Sequence, residues 1–422
     1  MNKILGKAMK YRDNTWDFRT ANTKPYTHCF HSYPAMMIPQ VAGRVLDEFG
    51  KNAKILFDPY CGTGTSLVEA NIRNIDAIGT DINPLARLIA KVKTTVISLE
   101  LLDTYLKDFN NFAFSIKFGV KKFNPQIPNF KNIDYWFKKD TQYILAVIKE
   151  YIENIDNKQV QDFFKVAFSE TVREVSLTRN SEFKLYRMTE RQIAKFNPDV
   201  LSIMVQKLVR NRNGMAEYVA IKNNNSCSFV YDFNTVYEIP EKILPLESVD
   251  IVLTSPPYGD SRTTVAYGQF SRLTNQWLGF EERNEVDKRS MGGIRVKNFK
   301  KFNFYPLDNA LKEIAEKDTK RVFDVISFYV DYERSIKNVS KVVKKGGIVA
   351  YVVGNRRVKR VELPNDEITR EFFERNGFEH LKTIIREIPN KRMPRRNSPT
   401  NIVGLTDTTM NYEYIVILQK KE

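Results

Sequence analysis

The sequence predicts an α/β protein: an open, mainly parallel sheet with helices on both faces, plus a mainly helical inserted subdomain. Three observations carry this. Residues 54–83 read as strand, acid, Gly-x-Gly turn, helix, strand, acid. A second buried-strand pattern, Val249-Asp250-Ile251-Val252-Leu253-Thr254, stops abruptly at Ser255-Pro256-Pro257-Tyr258. Between the two, residues 85–225 carry mostly the 3.6-residue periodicity of amphipathic helices.

From the N-terminus, residues 1–24 are polar and are expected to form an arm, with 25–95 as the first part of the main domain. Ile38–Phe49 has helical periodicity, and Tyr33-Pro34-Ala35 precedes it as a loop. Ile55–Phe57 is a short apolar strand running into Asp58. Gly62 and Gly64 then permit φ > 0 and close backbone approach to a ligand, and a helix opens at Thr65 or Ser66. An acid at this strand end disfavours phosphate and suits an ammonium or sulfonium group. About 20 residues on, a second strand from Ala77 ends at Asp81-Ile82, where a carboxylate is placed for ribose hydroxyls. The turn lacks GxGxxG spacing, which makes a dinucleotide the weaker reading.

Residues 96–225 are expected to be a helical insert and the candidate target-recognition region. The gap of roughly 140 residues between the second and third strands far exceeds an ordinary α/β connection. Leu101–Phe112, Thr141–Ile152 and Val160–Val175 are its clearest helical patterns, interrupted by the proline-containing stretch 121–132. Cys227–Asp232 reads as a third strand and opens the second part of the main domain, 226–422. The polar, glycine-containing run 260–272 follows the prolines and turns helical through Trp277, a candidate pocket wall or strand-guiding loop. Val322–Val343 reads as a long helix that Lys344-Lys345-Gly346-Gly347 turns into the strand Ile348–Val353. Leu381–Ile388 and Tyr412–Leu418 read as the last two strands.

The chemistry concentrates where strands stop. Two prolines fix φ and remove two backbone donors, so Ser255–Pro257 should be a rigid loop exposing carbonyl oxygens that no ladder satisfies. Beside them stand a small hydroxyl, Ser255, and a flat ring, Tyr258. A planar ligand bearing an amino group, such as a nucleobase, suits that set; an ordinary strand-ending turn is the alternative. Taken together, Asp58-Pro59-Tyr60-Cys61-Gly62-Thr63-Gly64-Thr65 and Ser255-Pro256-Pro257-Tyr258 resemble the two signature motifs of the S-adenosylmethionine-dependent DNA amino-methyltransferases. That family usually has Phe where this chain has Tyr60. Serine at the head of the second motif resembles the cytosine-N4 branch, whereas adenine-N6 enzymes usually carry Asp or Asn there. The C5 branch needs a Pro-Cys nucleophile, and no such dipeptide occurs.

The resemblance implies a Rossmann-like methyltransferase sheet, S-adenosylmethionine as cofactor and double-stranded DNA as partner, with room for a cognate restriction endonuclease. It implies that Asp58, Tyr60, Cys61, Gly62, Gly64, Thr65, Asp81 and Ile82 border the cofactor. Tyr33 and Pro34 would enclose its methionine end, and Asp232 would close the adenine pocket. Ser255 and the Pro256 carbonyl would accept from the target amine, Pro257 would stiffen the loop, and Tyr258 would stack on a base flipped from the duplex. Three rivals stand beside cytosine-N4 transfer: adenine-N6 transfer, an RNA or tRNA base methyltransferase, and a silent nucleic-acid-binding protein on the same scaffold.

Charge fits a polyanionic partner: 66 Lys+Arg against 50 Asp+Glu gives +16, with a pI near 9.4. Candidate phosphate contacts are Lys184 and Arg187 in a cation–aromatic run, Arg262 after the proline loop, and Lys391, Arg392, Arg395 and Arg396 in a basic loop between the last strands. Each has a solvated-edge alternative. Three scattered cysteines (Cys29, Cys61, Cys227) and three histidines (His28, His31, His380) argue against a disulfide scaffold or a metal site. The sequence has no apolar run long enough to span a bilayer and no hydrophobic signal core, so a cytoplasmic location is expected.

Overall fold

The structure is a computed structural model, described here for residues 9–120, 122–179, 184–259, 267–280, 285–389, 396–397, 407–408 and 410–422. Its centre is an eight-stranded sheet built from β1 (Met9–Arg12), β2 (Ile55–Asp58), β3 (Asp76–Thr80), β4 (Ser228–Tyr231), β5 (Val249–Thr254), β6 (Val343–Val353), β9 (Phe378–Glu387) and β12 (Tyr412–Lys420). The spatial order is β4-β3-β2-β5-β6-β12-β9-β1. All neighbours run parallel except β12, which inserts antiparallel between β6 and β9.

Period-2 alternation places the two faces of this sheet in separate cores. Ala350, Val352, Ile415 and Ile417 pack with α1 (Pro39–Phe49), α2 (Thr65–Ile72) and α3 (Pro84–Thr94). Val349, Tyr351, Val353, Val416 and Leu418 pack with α12 (Tyr305–Lys317), α13 (Thr319–Val342) and α14 (Asn365–Glu374). The central strand β5 is buried except at Asp250, because both of its faces are covered. β2 has β3 on one side and β5 on the other, so the strand order reverses there and a crevice opens at their carboxyl ends.

The insert is helical as expected: α4 (Leu99–Lys117), α5 (Ile133–Trp136), α6 (Lys139–Glu153), α7 (Lys158–Val175), α8 (Glu190–Lys195) and α9 (Val200–Ile221). It is not a detached lobe. Its core is continuous with Leu85 and Ile89 of α3, with Phe30 and Tyr33, and with Phe270 and Trp277 of α10 (Tyr267–Trp277).

Two expectations are corrected. Residues 9–16 belong to the fold: β1 pairs in parallel with β9, and Trp16 is 1% exposed. An edge strand needs backbone pairing on one side only, so Met9-Lys10-Tyr11-Arg12 shows little apolar alternation. No turn separates α13 from β6 either; the strand begins at Val343 and passes through Lys344–Gly347. Gly346 supplies a positive φ of 72° near the point where the β5–β6 register shifts. No described helix is long and apolar enough to cross a membrane.

Candidate active site

The crevice between β2 and β5 is floored by the two motifs. Thr254 ends β5 and donates its hydroxyl to Asp58 Oδ1 at 2.6 Å, which ties the strand ends together. Asp58 also accepts from Ser66 Oγ and, at 3.1 Å, from the Tyr60 amide. Burial pushes its carboxyl up to about 6 against the pull of these donors. Cys61-Gly62-Thr63-Gly64 then turns the chain into α2. Gly64 has φ 76°, and a Cβ there would lie 2.9 Å from Ala90 Cβ, so glycine is required twice over. Asp81, just past β3, accepts the Gly62 amide on one oxygen (3.1 Å) and the Asn83 amide on the other (2.7 Å). Burial raises its carboxyl as well.

Nine of the residues singled out for a cofactor line one cleft: Tyr33, Pro34, Asp58, Tyr60, Cys61, Gly62, Thr65, Asp81 and Ile82. Gly64 shapes the turn behind them. Tyr33 is set by a stacked ring contact with Tyr267 (5.9 Å between centroids, 16°) and by a 2.8 Å hydrogen bond from Asn83 Nδ2 to its hydroxyl. Ser255 and Pro257 open onto the same cleft. Pro256 is buried beside them. Tyr258 packs its ring against the second core, and its hydroxyl lies 3.1 Å from Ser255 Oγ and donates to Glu413 Oε1 at 3.3 Å. Asn365 Nδ2 holds the loop from below, donating to the Gly354 carbonyl at 2.7 Å and the Tyr258 carbonyl at 3.3 Å.

Asp232 does not line the cleft. Arg289 (2.6 Å) and Arg87 (3.2 Å) hold its carboxylate in ion pairs, and the wall past β4 is formed by Phe233-Asn234-Thr235 instead. Arg187 is likewise committed: its guanidinium lies 4.5 Å from the Tyr135 ring centroid, donates to the Tyr135 carbonyl at 3.0 Å and pairs with Glu190 at 2.5 Å. The neighbouring Lys184 sits in a loop whose Leu185 amide donates to Gln269 of α10 at 3.4 Å. Arg262, Lys391, Arg392 and Arg395 lie outside the described residues. The side chain of Arg396, on the two-residue strand β10 (Arg396–Asn397), also lies outside them; β10 pairs with β11 (Asp407–Thr408).

Sequence reasoning missed part of the site. Val286, Arg289, Ser290 and Met291 complete the cleft from a distant segment, around the short helix α11 (Val286–Arg289), which no local signal marks. It also missed the hairpin of β7 (Arg356–Val358) and β8 (Val361–Leu363), which carries Arg356, Arg357, Lys359 and Arg360. Arg356 lies against Gly259, where a Cβ would come within 1.6 Å of its Nη1, so the hairpin flanks the proline loop. The density of cations in that stretch was the available signal.

The wall chemistry fits S-adenosylmethionine. It offers a carboxylate at each of two strand ends, a turn open to a ligand's backbone approach, an aromatic pair, and Thr63. The Thr63 hydroxyl is 3% exposed and has no hydrogen-bond partner among the described residues.

No protein-family model matches the chain. It is 39% identical over 435 residues to the type II methyltransferase M.MvaI of Kocuria varians, spanning 98% of this chain and 96% of that relative. It is 28% identical over 152 residues to the type II methyltransferase M.MjaII of Methanocaldococcus jannaschii, covering 36% of this chain and 27% of the relative. Among solved structures, the rRNA methyltransferase aviRa from Streptomyces viridochromogenes aligns over 97% of this chain and 94% of its own, at 10% identity and a TM-score of 0.34, too low to carry an argument. The full-length similarity to M.MvaI is decisive: the chain belongs to the type II DNA methyltransferase family.

Proposed function

We propose that this chain transfers a methyl group from S-adenosylmethionine to the exocyclic N4 amine of a cytosine flipped out of duplex DNA, as the modification enzyme of a restriction-modification system. One observation carries the reading: Ser255, heading Ser-Pro-Pro-Tyr, opens onto the cleft that Asp58 and Asp81 floor. The cofactor supplies a methyl group already activated on sulfonium, which leaves alignment and water exclusion to the protein. Asp58 would face its cationic end and Asp81 its ribose. The Ser255 hydroxyl and the Pro256 carbonyl would accept from the amine, reduce the delocalisation of its lone pair and aim it into the cleft. Tyr258 would hold the flipped ring. Serine in place of Asp or Asn supports cytosine over adenine.

The test is to expose duplex DNA to the protein and cofactor, digest it to nucleosides and identify the product. N4-methylcytosine is expected. N6-methyladenine would overturn the branch, and methylation confined to tRNA would overturn the DNA reading.

The acidic floor predicts a pH dependence. A carboxyl raised to about 6 in the folded protein binds a proton that the unfolded chain has already lost. Its contribution to the stability of the free protein therefore declines as pH rises from the ordinary aspartate value through about 6. Binding a cation has the opposite sign because it needs the carboxylate. Cofactor affinity is expected to fall as pH drops through about 6, by up to about tenfold per pH unit, and Asp58→Asn should flatten the profile relative to wild type, leaving the Asp81 contribution. Calorimetric titration between about pH 5 and 7 checks this; a flat wild-type curve would refute it.

For the DNA surface, we propose that the 96–225 helices, including Lys184, and the β7–β8 hairpin track the backbone, together with the basic run 391–396. Arg360 is exposed at the hairpin tip. Arg360→Ala is expected to lower DNA affinity and to reduce the slope of log K against log salt by about 1, leaving cofactor affinity unchanged. An unaltered slope would remove the hairpin from the interface.

A further inference from the structure

Ser255 has an ambiguity that its proposed role does not tolerate. A serine hydroxyl can donate or accept, whereas the protons of an exocyclic amine need an acceptor. If the Ser255 proton pointed into the cleft, donor would face donor, and the amine's lone pair would be drawn to the serine instead of aimed at the methyl group.

The surrounding chain of groups fixes the polarity. Glu413 stands at the start of β12, where Tyr414 pairs with Val353 at the end of β6 and Glu413 itself pairs with Arg386 of β9. The Arg386 side chain is 3% exposed, forms an ion pair with Glu413 and donates from Nε to the Trp16 carbonyl at 2.8 Å. As the carboxylate of that pair, Glu413 has no proton to give. The hydrogen bond at 3.3 Å must therefore run from the Tyr258 hydroxyl to Glu413. With its only proton spent, the Tyr258 oxygen can only accept from Ser255 Oγ, 3.1 Å away.

We propose that Glu413 is a positioning residue that acts through the Tyr258 hydroxyl to turn the Ser255 proton away from the cleft, leaving Ser255 Oγ as an acceptor for the target amine. The inference rests on the amine-methylation reading above and deepens it: it explains how a serine does work for which a carboxylate or amide oxygen needs no such support. It also gives Tyr258 a second task besides ring contact, and it links the loop to the turn that follows β1 through Arg386 and Trp16.

A double-mutant cycle of Tyr258→Phe and Glu413→Gln tests it. Single-turnover methyl transfer to duplex DNA is the readout, with cofactor and DNA dissociation constants measured on every variant. Tyr258→Phe keeps the ring and removes only the hydroxyl. It is expected to slow transfer about tenfold while both dissociation constants stay within about twofold of wild type. Adding Glu413→Gln to Tyr258→Phe should slow it no further. Two losses that multiply would overturn the inference, because Glu413 would then act through Arg386 and the fold. Wild-type speed in Tyr258→Phe would overturn it as well, and that variant suffices alone if Glu413→Gln, which unpairs a buried arginine, fails to fold. A wild-type protein that methylates no exocyclic amine would overturn the parent reading, and this inference with it.

Discussion

Ser255→Ala is expected to slow methyl transfer by about 10²-fold or more while S-adenosylmethionine binds within about twofold of wild type. The reasoning is positional. Ser255 follows the carboxyl end of β5 and opens onto the cleft, and Asp58 lies at the end of the adjacent β2. Removing one hydroxyl deletes an acceptor needed when the amine nitrogen gives up its lone pair, and touches none of the groups assigned to the cofactor. The loop should keep its shape, because its two prolines and the Asn365 hydrogen bonds do not involve the serine side chain. Tyr258→Ala should be at least as damaging, since it removes both the ring and the Ser255 partner. Single-turnover assays with labelled cofactor, paired with calorimetry, separate the two constants. Wild-type turnover in both variants would sink the assignment of this loop to catalysis.

What the sequence made legible was local. Asp58, Gly62 and Gly64 announce themselves because an apolar run ends in an acid and then in residues that permit φ > 0; the structure sets Gly62 at 50° and Gly64 at 76°. The proline loop is equally self-contained. Of the insert's helices, α4, α6 and α7 were readable from periodicity, whereas α5 and α8 bury no residue and carry no apolar stripe to read. What escaped depends on chain crossings. Glu413 reaches Tyr258 only because β12 inserts between β6 and β9, and Met291 reaches the cofactor cleft from a segment with no motif of its own. Asp232 misled for a related reason: an acid at a strand end looks like a ligand group until Arg87 and Arg289 are seen holding it. The partners of Arg187 were out of reach in the same way, since they include Tyr135, some fifty positions away in sequence.

The same adjacency explains why the two halves of the site should respond separately to mutation. Thr254 bonds to Asp58 across the strand pair, so the floor of the cleft is continuous, yet Ser255 and Asp81 stand on opposite sides of β2. Under the proposed function, one serves the target amine and the other the cofactor.

Asp81→Ala is accordingly expected to weaken S-adenosylmethionine binding by about 10- to 100-fold, with a smaller effect on the single-turnover rate once cofactor is saturating. Each Asp81 oxygen already accepts one backbone amide, from Gly62 or Asn83, which orients the carboxylate and leaves one lone pair on each oxygen for a ribose hydroxyl. A charge-assisted bond to a hydroxyl is worth about 1.5–3 kcal/mol, and the loss of one such bond sets the size of the effect. Asp81→Asn should fall between alanine and wild type, because its amide keeps one acceptor and presents a donor where the second was. The main competing explanation is that the variant merely loosens the glycine turn, since Gly62 would lose its acceptor. Adenosine and 2′-deoxyadenosine distinguish the two: wild type should favour the ribose form, and Asp81→Ala should erase that preference. If the variant instead keeps the preference while both ligands weaken equally, the turn has loosened and Asp81 is not the ribose ligand.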